Sequence, residues 1–176
     1  MKLTNVQQRF ILHWGEMGTK WGINRSVAQI HALLYVSPKP LHAEEISEVL
    51  SIARSNVSNS LKELQGWGIV KVTHVLGDRR DHFESLKDVW DLIRVILEER
   101  KKREIDPTVA VLRELKAELE NGREKDEYTK ARITDLLGFL DSMTTWYSQI
   151  KVLPEAALKN FIKFGAKVRK AIGRKE

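Results

Sequence analysis

Residues 41–86 decide the fold: LHAEEISEVL (41–50), SIA (51–53), RSNVSNSLKELQGWG (54–68), IVKVTHV (69–75), LGDRRD (76–81) and HFESL (82–86). The first segment reads as a short helix, with Ile46, Val49 and Leu50 inward and Glu44, Glu45 and Glu48 outward. SIA is a tight turn. The third segment is a second helix with Val57, Leu61 and Leu64 at i, i+4 and i+7, ended by Gly66 and Gly68. Residues 69–75 are dominated by β-branched side chains, the composition of a strand, and 82–86 can return as its partner across the turn at 76–81. Helix, turn, helix, hairpin is a winged helix-turn-helix.

Helices extend outward on both sides. Thr4 and Gln7 have capping-box spacing, and Phe10, Trp14, Met17 and Trp21 then follow at intervals of 4, 3 and 4, the spacing of a helix–helix seam. Asn24 can cap a helix running to Val36, with Val27, Ile30, Leu33 and Leu34 inward, and SPKP (37–40) stops it. Beyond the hairpin, 87–104 reads as a helix bearing Val89, Trp90, Ile93, Ile96 and Leu97. Asp106-Pro107 should start another, with Asp106 as N-cap, that runs to Asn121-Gly122. Residues 125–152 carry Tyr128, Ala131, Leu136, Phe139, Leu140, Met143 and Tyr147 every three to four positions. Pro154 opens a last helix with Leu158, Phe161, Ile162 and Val168 among lysines. The expected architecture is mainly α with a small β-hairpin wing. Residues 1–23 form an N-terminal helix at a dimer seam, 24–87 the winged helix-turn-helix, and 88–176 a helical dimerisation and regulatory region.

Composition narrows the function. The 176 residues contain no cysteine, which excludes disulfides, thiolate zinc sites and cysteine nucleophiles. No run of about 18 apolar residues exists to span a membrane, and the N-terminus lacks the unbroken apolar stretch of a signal peptide, so a cytoplasmic protein is expected. The net charge of +6 is uneven: residues 151–176 hold eight basic residues against two acidic. A polyanionic partner is therefore worth considering. No catalytic serine setting and no phosphate-cradling glycine loop is present, so neither an enzyme nor a cofactor is expected. The histidines are scattered. His74 and His82 could approach across the hairpin, but two ligands make no zinc site.

The outer face of helix 54–65 carries Arg54, Ser55, Asn56, Ser58, Asn59 and Lys62, free of acid until Glu63. So many Ser and Asn cost helix propensity, which points to selection for something else. Asn can read adenine, Arg can read guanine or hold phosphate, and Ser can serve either. At the turn 76–81, Arg79 and Arg80 suit phosphate or a narrow minor groove, and the flanking aspartates either neutralise or orient them. These eight residues are the candidate contacts to double-stranded DNA. Asn56, Asn59 and Arg54 are expected to give specificity, and Arg79, Arg80 and Lys62 affinity. Trp14, Trp21, Trp90 and Trp146 are candidate walls for a small-molecule effector, a cationic or quaternary ammonium ligand by the chemistry of π faces. Core packing is the competing explanation for all four.

The stretches SPKPLHAEEI, RSNVSNSLKEL, WGIV and GDRRDHFE, with the helical continuation KDVWDLIRVILEERKKREIDPTVAVLREL, resemble the GbsR-type branch of the MarR-like winged-helix regulators over about residues 9–120. The resemblance implies a dimeric, cytoplasmic, DNA-binding transcriptional regulator. It would typically be a repressor on a pseudo-palindromic operator, in a branch associated with osmoprotectant genes. Ala53 departs from the pattern, because such turns often place there a Ser that caps the recognition helix. Two other functions fit the same residues: a sequence-tolerant architectural DNA-binding protein, and a winged helix used for protein contacts.

Overall fold

The computed structural model describes residues 1–122, 126–160 and 163–164. The chain divides into two compact units, Met1–Glu99 and Arg100–Glu176.

In the first unit, α1 (Asn5–Lys20) opens on the reciprocal Thr4–Gln7 capping box. Its buried residues are Ile11, Gly15 and Gly18, on the helix that packs against α2 (Arg25–Val36). A Cβ at Gly18 would overlap that of Ala28, and one at Gly15 would overlap the Gln29 side chain, so the two glycines set how closely the helices approach. Phe10 and Trp14 stack at 5.5 Å and pack half-buried on the chain's own core, while Trp21 stands edge-on to Trp14 at 6.0 Å and stays exposed. Asn24 caps α2, which buries Val27, Ile30, Leu33 and Leu34.

Residues 41–42 differ from the expected helix. They are extended as β1 (Leu41–His42), and α3 (Ala43–Leu50) starts two residues later with His42 as N-cap. The sequence signal is absent because Leu41 has the same apolar character on a helix face as in a strand; only its partner Phe83 distinguishes the two. The wing is accordingly a three-stranded antiparallel sheet, ordered β1, β3 (His82–Ser85), β2 (Val70–Thr73), rather than a hairpin alone. Between α3 and α4 (Arg54–Gly66), Ser51 takes a left-handed conformation and Ser47 donates its hydroxyl to the Ile52 carbonyl. Ala53 supplies no side-chain cap, and α4 begins there nonetheless. Ile30, Leu33, Leu34, Leu41, Ile46, Val57, Leu61, Leu64 and Ile69 are the fully buried centre where α2, α3, α4 and the sheet meet. At the end of α2, Lys87 donates to the carbonyls of Leu34, Tyr35 and Ser37 at 2.7, 2.9 and 2.8 Å, satisfying groups that the helix end leaves unpaired. The helix α5 (Val89–Arg100) adds Leu92, Val95 and Ile96 to this core.

The second unit corrects another expectation. Asp106 is not an N-cap: Ile105 and Asp106 both have helical backbone angles, and residues 101–105 form a π-helical turn whose i→i−5 bond runs from the Asp106 N–H to the Lys101 carbonyl. Pro107, with no N–H to give, sits directly after the widened turn, where the altered hydrogen-bond pattern absorbs the missing donor. The helix α6 (Asp106–Asn121) then packs on α7 (Glu127–Ile150), which Asp126 caps through the Thr129 N–H. Val109 and Leu137 are buried, and Arg113 reaches Asp141 at 2.9 Å. Leu136, Phe139, Met143 and Trp146 remain exposed on another face, at heptad spacing. Residues 155–160 are helical as expected, whereas Phe161, Ile162 and Val168 lie outside the described residues. Among the described residues, no helix is long and apolar enough to cross a membrane.

Candidate nucleic-acid interface

Burying Val57, Leu61 and Leu64 fixes the rotation of α4 and so decides which of its side chains face solvent. Arg54, Ser55, Asn56, Asn59 and Lys62 are exposed and Ser58 is half-buried, the face the sequence indicated. Within it the side chains are not equivalent. Ser55, Asn59 and Lys62 have no side-chain hydrogen-bond or ion-pair partner among the described residues. Asn56 is turned toward α2: its amide donates to Ser26 Oγ at 3.1 Å and accepts from Ser60 Oγ at 3.4 Å. Arg54 is held twice, Nε on Glu44 Oε1 at 2.8 Å and Nη1 on Ser58 Oγ at 2.5 Å. Glu44 also receives the His42 ring at 2.9 Å, and these partners pull its pKa down to about 2, the Arg54 hydrogen bond most strongly.

The wing tip has a similar internal logic. Gly77, at φ 84°, turns the chain, and Asp78 accepts from both the backbone N–H and the guanidinium of Arg80. That contact holds the Asp78 carboxyl well below the usual carboxylate range. Of the two aspartates flanking the arginines, Asp78 therefore orients Arg80, while Arg79 is exposed with no carboxylate partner among the described residues. Leu76, beside them, is fully exposed. Nothing in the sequence pattern singled it out, although an apolar residue next to a turn glycine in a polar loop is a detectable anomaly.

A cleft of about 370 Å³ lies between α4 and the wing, lined among others by Glu44, Arg54, Ser58, Lys62, Arg80 and Asp81. Behind it His82 is buried, and its aromatic neighbour is not His74 but His42, its partner in the β1–β3 pairing, at 5.5 Å and edge-on. His74 lies outside the strand register. No group of three His, Cys, Asp or Glu among the described residues is placed to hold a metal. Of the four candidate effector-lining tryptophans, Trp14 and Trp21 come together, Trp90 is half-buried on α5, and Trp146 belongs to the second unit, beside an open hollow of about 410 Å³ with Asp141, Ser142, Thr145 and Gln149.

Comparison with known proteins agrees with this geometry. Residues 21–81 match the MarR family. The HTH-type transcriptional repressor GbsR of Bacillus subtilis (strain 168) is 27% identical over 139 residues, which cover 77% of each chain. A crystal structure of a transcriptional regulator superposes with a TM-score of 0.59 at 18% identity, covering 90% of this chain and 99% of that one.

Proposed function

We propose that this chain, a MarR-like winged-helix transcriptional regulator of the GbsR type that binds DNA, acts as a cytoplasmic homodimeric repressor of a pseudo-palindromic operator. It works by binding, not by catalysis. In this reading α4 lies in the major groove and residues 76–81 meet the backbone or the minor groove. The observation that carries it is the exposed face of α4, free of acid from Arg54 to Lys62, with Ser55, Asn59 and Lys62 open to solvent, next to a loop that displays Arg79. Neither a solvated helix face, usually mixed Glu and Lys, nor a protein-contact face, usually apolar at its centre, has this composition.

The dimer reading is supported by apolar surface that each unit leaves uncovered, above all Leu136, Phe139, Met143 and Trp146. Twofold symmetry is the commonest solution for such a surface. It would set two recognition helices about 34 Å apart on successive major grooves. An effector that favours another spacing would release the operator, and the edge-to-face Trp14–Trp21 pair supports a cationic ligand for that role. The test is a gel shift with the gene's own upstream DNA against random DNA, alongside a light-scattering mass. Selective binding by a dimer is expected. Equal binding to both DNAs would favour an architectural protein, no binding a protein-contact module, and a monomer at micromolar concentration would remove the dimer.

A further inference from the structure

Arg54 is the first residue of α4, and its two contacts leave a defined part of the guanidinium free. Nε is committed to Glu44 and one Nη1 hydrogen to Ser58. Three of the five guanidinium hydrogens, one on Nη1 and two on Nη2, remain for the pair of bonds that guanine O6 and N7 accept in the major groove. Glu44 in turn is secured from behind. Its second oxygen meets the His42 ring, which is mostly buried and packs on the buried His82 of the neighbouring strand. The capping of α3 does not need Glu44, because Glu45 accepts the His42 N–H in that role.

The carboxylate also decides what Arg54 can bind. A phosphate approaching Arg54 would be repelled by Glu44 alongside, whereas a base edge is neutral and meets only the oriented fork. Worth little as an exposed ion pair for stability, the contact fixes a long side chain that would otherwise lose rotamer freedom on binding.

We infer that Glu44 is a specificity-determining positioning residue, which orients Arg54 to read one guanine in each half-site and keeps it off the phosphates. The inference rests on the proposed DNA-reading function and deepens it. It is tested by selecting duplexes from a randomised library with the full-length wild-type protein, then repeating the selection with variants. Arg54→Ala identifies the base pair at which preference disappears. Glu44→Ala should lose preference at that same pair by about tenfold, within the range for one base contact. Its binding to random duplex should be unchanged or tighter, since an acid has been removed. Glu44→Gln, which can still accept from Arg54 Nε, should retain the preference. Adding Glu44→Ala to Arg54→Ala should cost nothing further. Preservation of the guanine preference in Glu44→Ala, or loss in Glu44→Gln as complete as in Glu44→Ala, overturns the positioning role while leaving DNA reading intact. A wild-type protein that selects no consensus overturns both.

Discussion

Acidification should destabilise the first unit before its carboxylates protonate, and His31 is the reason. This side chain lies inside α2, is almost wholly buried, and its Nε2 has no hydrogen-bond partner among the described residues. Burial without a partner disfavours the charged imidazolium, and the Lys87 cation adds repulsion, so the pKa falls from 6.5 to about 4. A histidine depressed in this way is neutral in the folded chain while the unfolded chain takes up a proton. Its contribution to stability is complete above about pH 6.5 and shrinks as the pH falls toward the folded value. With these two pKa values the loss by about pH 4.5 is about 2.5 kcal/mol, a large part of the stability of a small domain. Glu44, Asp78 and Asp126 also have lowered pKa values, but their unfolded counterparts protonate near pH 4, so they act below this window. The assay is urea unfolding followed by tryptophan fluorescence at pH values between about 8 and 4.5, for the wild type and for His31→Phe. The wild type should lose the stated stability across that range, and the variant should hold nearly constant. Parallel curves for the two proteins would refute the assignment.

Further expectations follow from single contacts. Gly18→Val should destabilise the first unit by about 2–3 kcal/mol in chemical unfolding, because the added side chain meets Ala28 where α1 and α2 touch. Lys87→Met should cost about 2 kcal/mol, since it leaves the carbonyls of Leu34, Tyr35 and Ser37 without their donor. Arg79→Ala and Lys62→Ala should each weaken all DNA sequences alike and reduce the slope of log affinity against log salt by about one unit, measured by fluorescence anisotropy. Asn56→Ala should lower thermal stability more than it alters base preference, as its amide is engaged by Ser26.

The parts of the fold that were legible in the sequence are those determined by local chemistry. The Thr4 and Asn24 caps, the apolar faces of α2 and α4, and the glycines that end α4 and turn the wing all depend on residues within one or two helical turns. What was not legible depends on distant partners. Leu41 becomes a strand residue because Phe83 lies opposite it, and the glycine face of α1 turns inward because Ala28 and Gln29 supply the surface it needs. The aromatic spacing on α1 was legible as one face of a helix, whereas the glycine face that meets α2 was not, because a glycine carries no apolar signal of its own. At Asp106-Pro107 the local signal was overridden: a good helix start was absorbed into an existing helical path by one widened turn.

The same distinction runs through the surface proposed to read DNA. Composition and periodicity chose the face of α4 that the structure exposes to solvent, yet they ranked Arg54, Asn56 and Asn59 together as equal readers. Their partners separate them: Glu44 is ten positions from Arg54 and Ser26 thirty from Asn56, beyond any helical periodicity. One side chain is thereby aimed, one is anchored to α2, and Asn59 is left free to adapt. A surface built this way need not present every polar group to DNA. Aimed and anchored residues restrict the poses available, so that the free ones, Ser55, Asn59 and Lys62, complete a fit already limited by geometry. Specificity would then depend on Glu44, which does not have to touch a base.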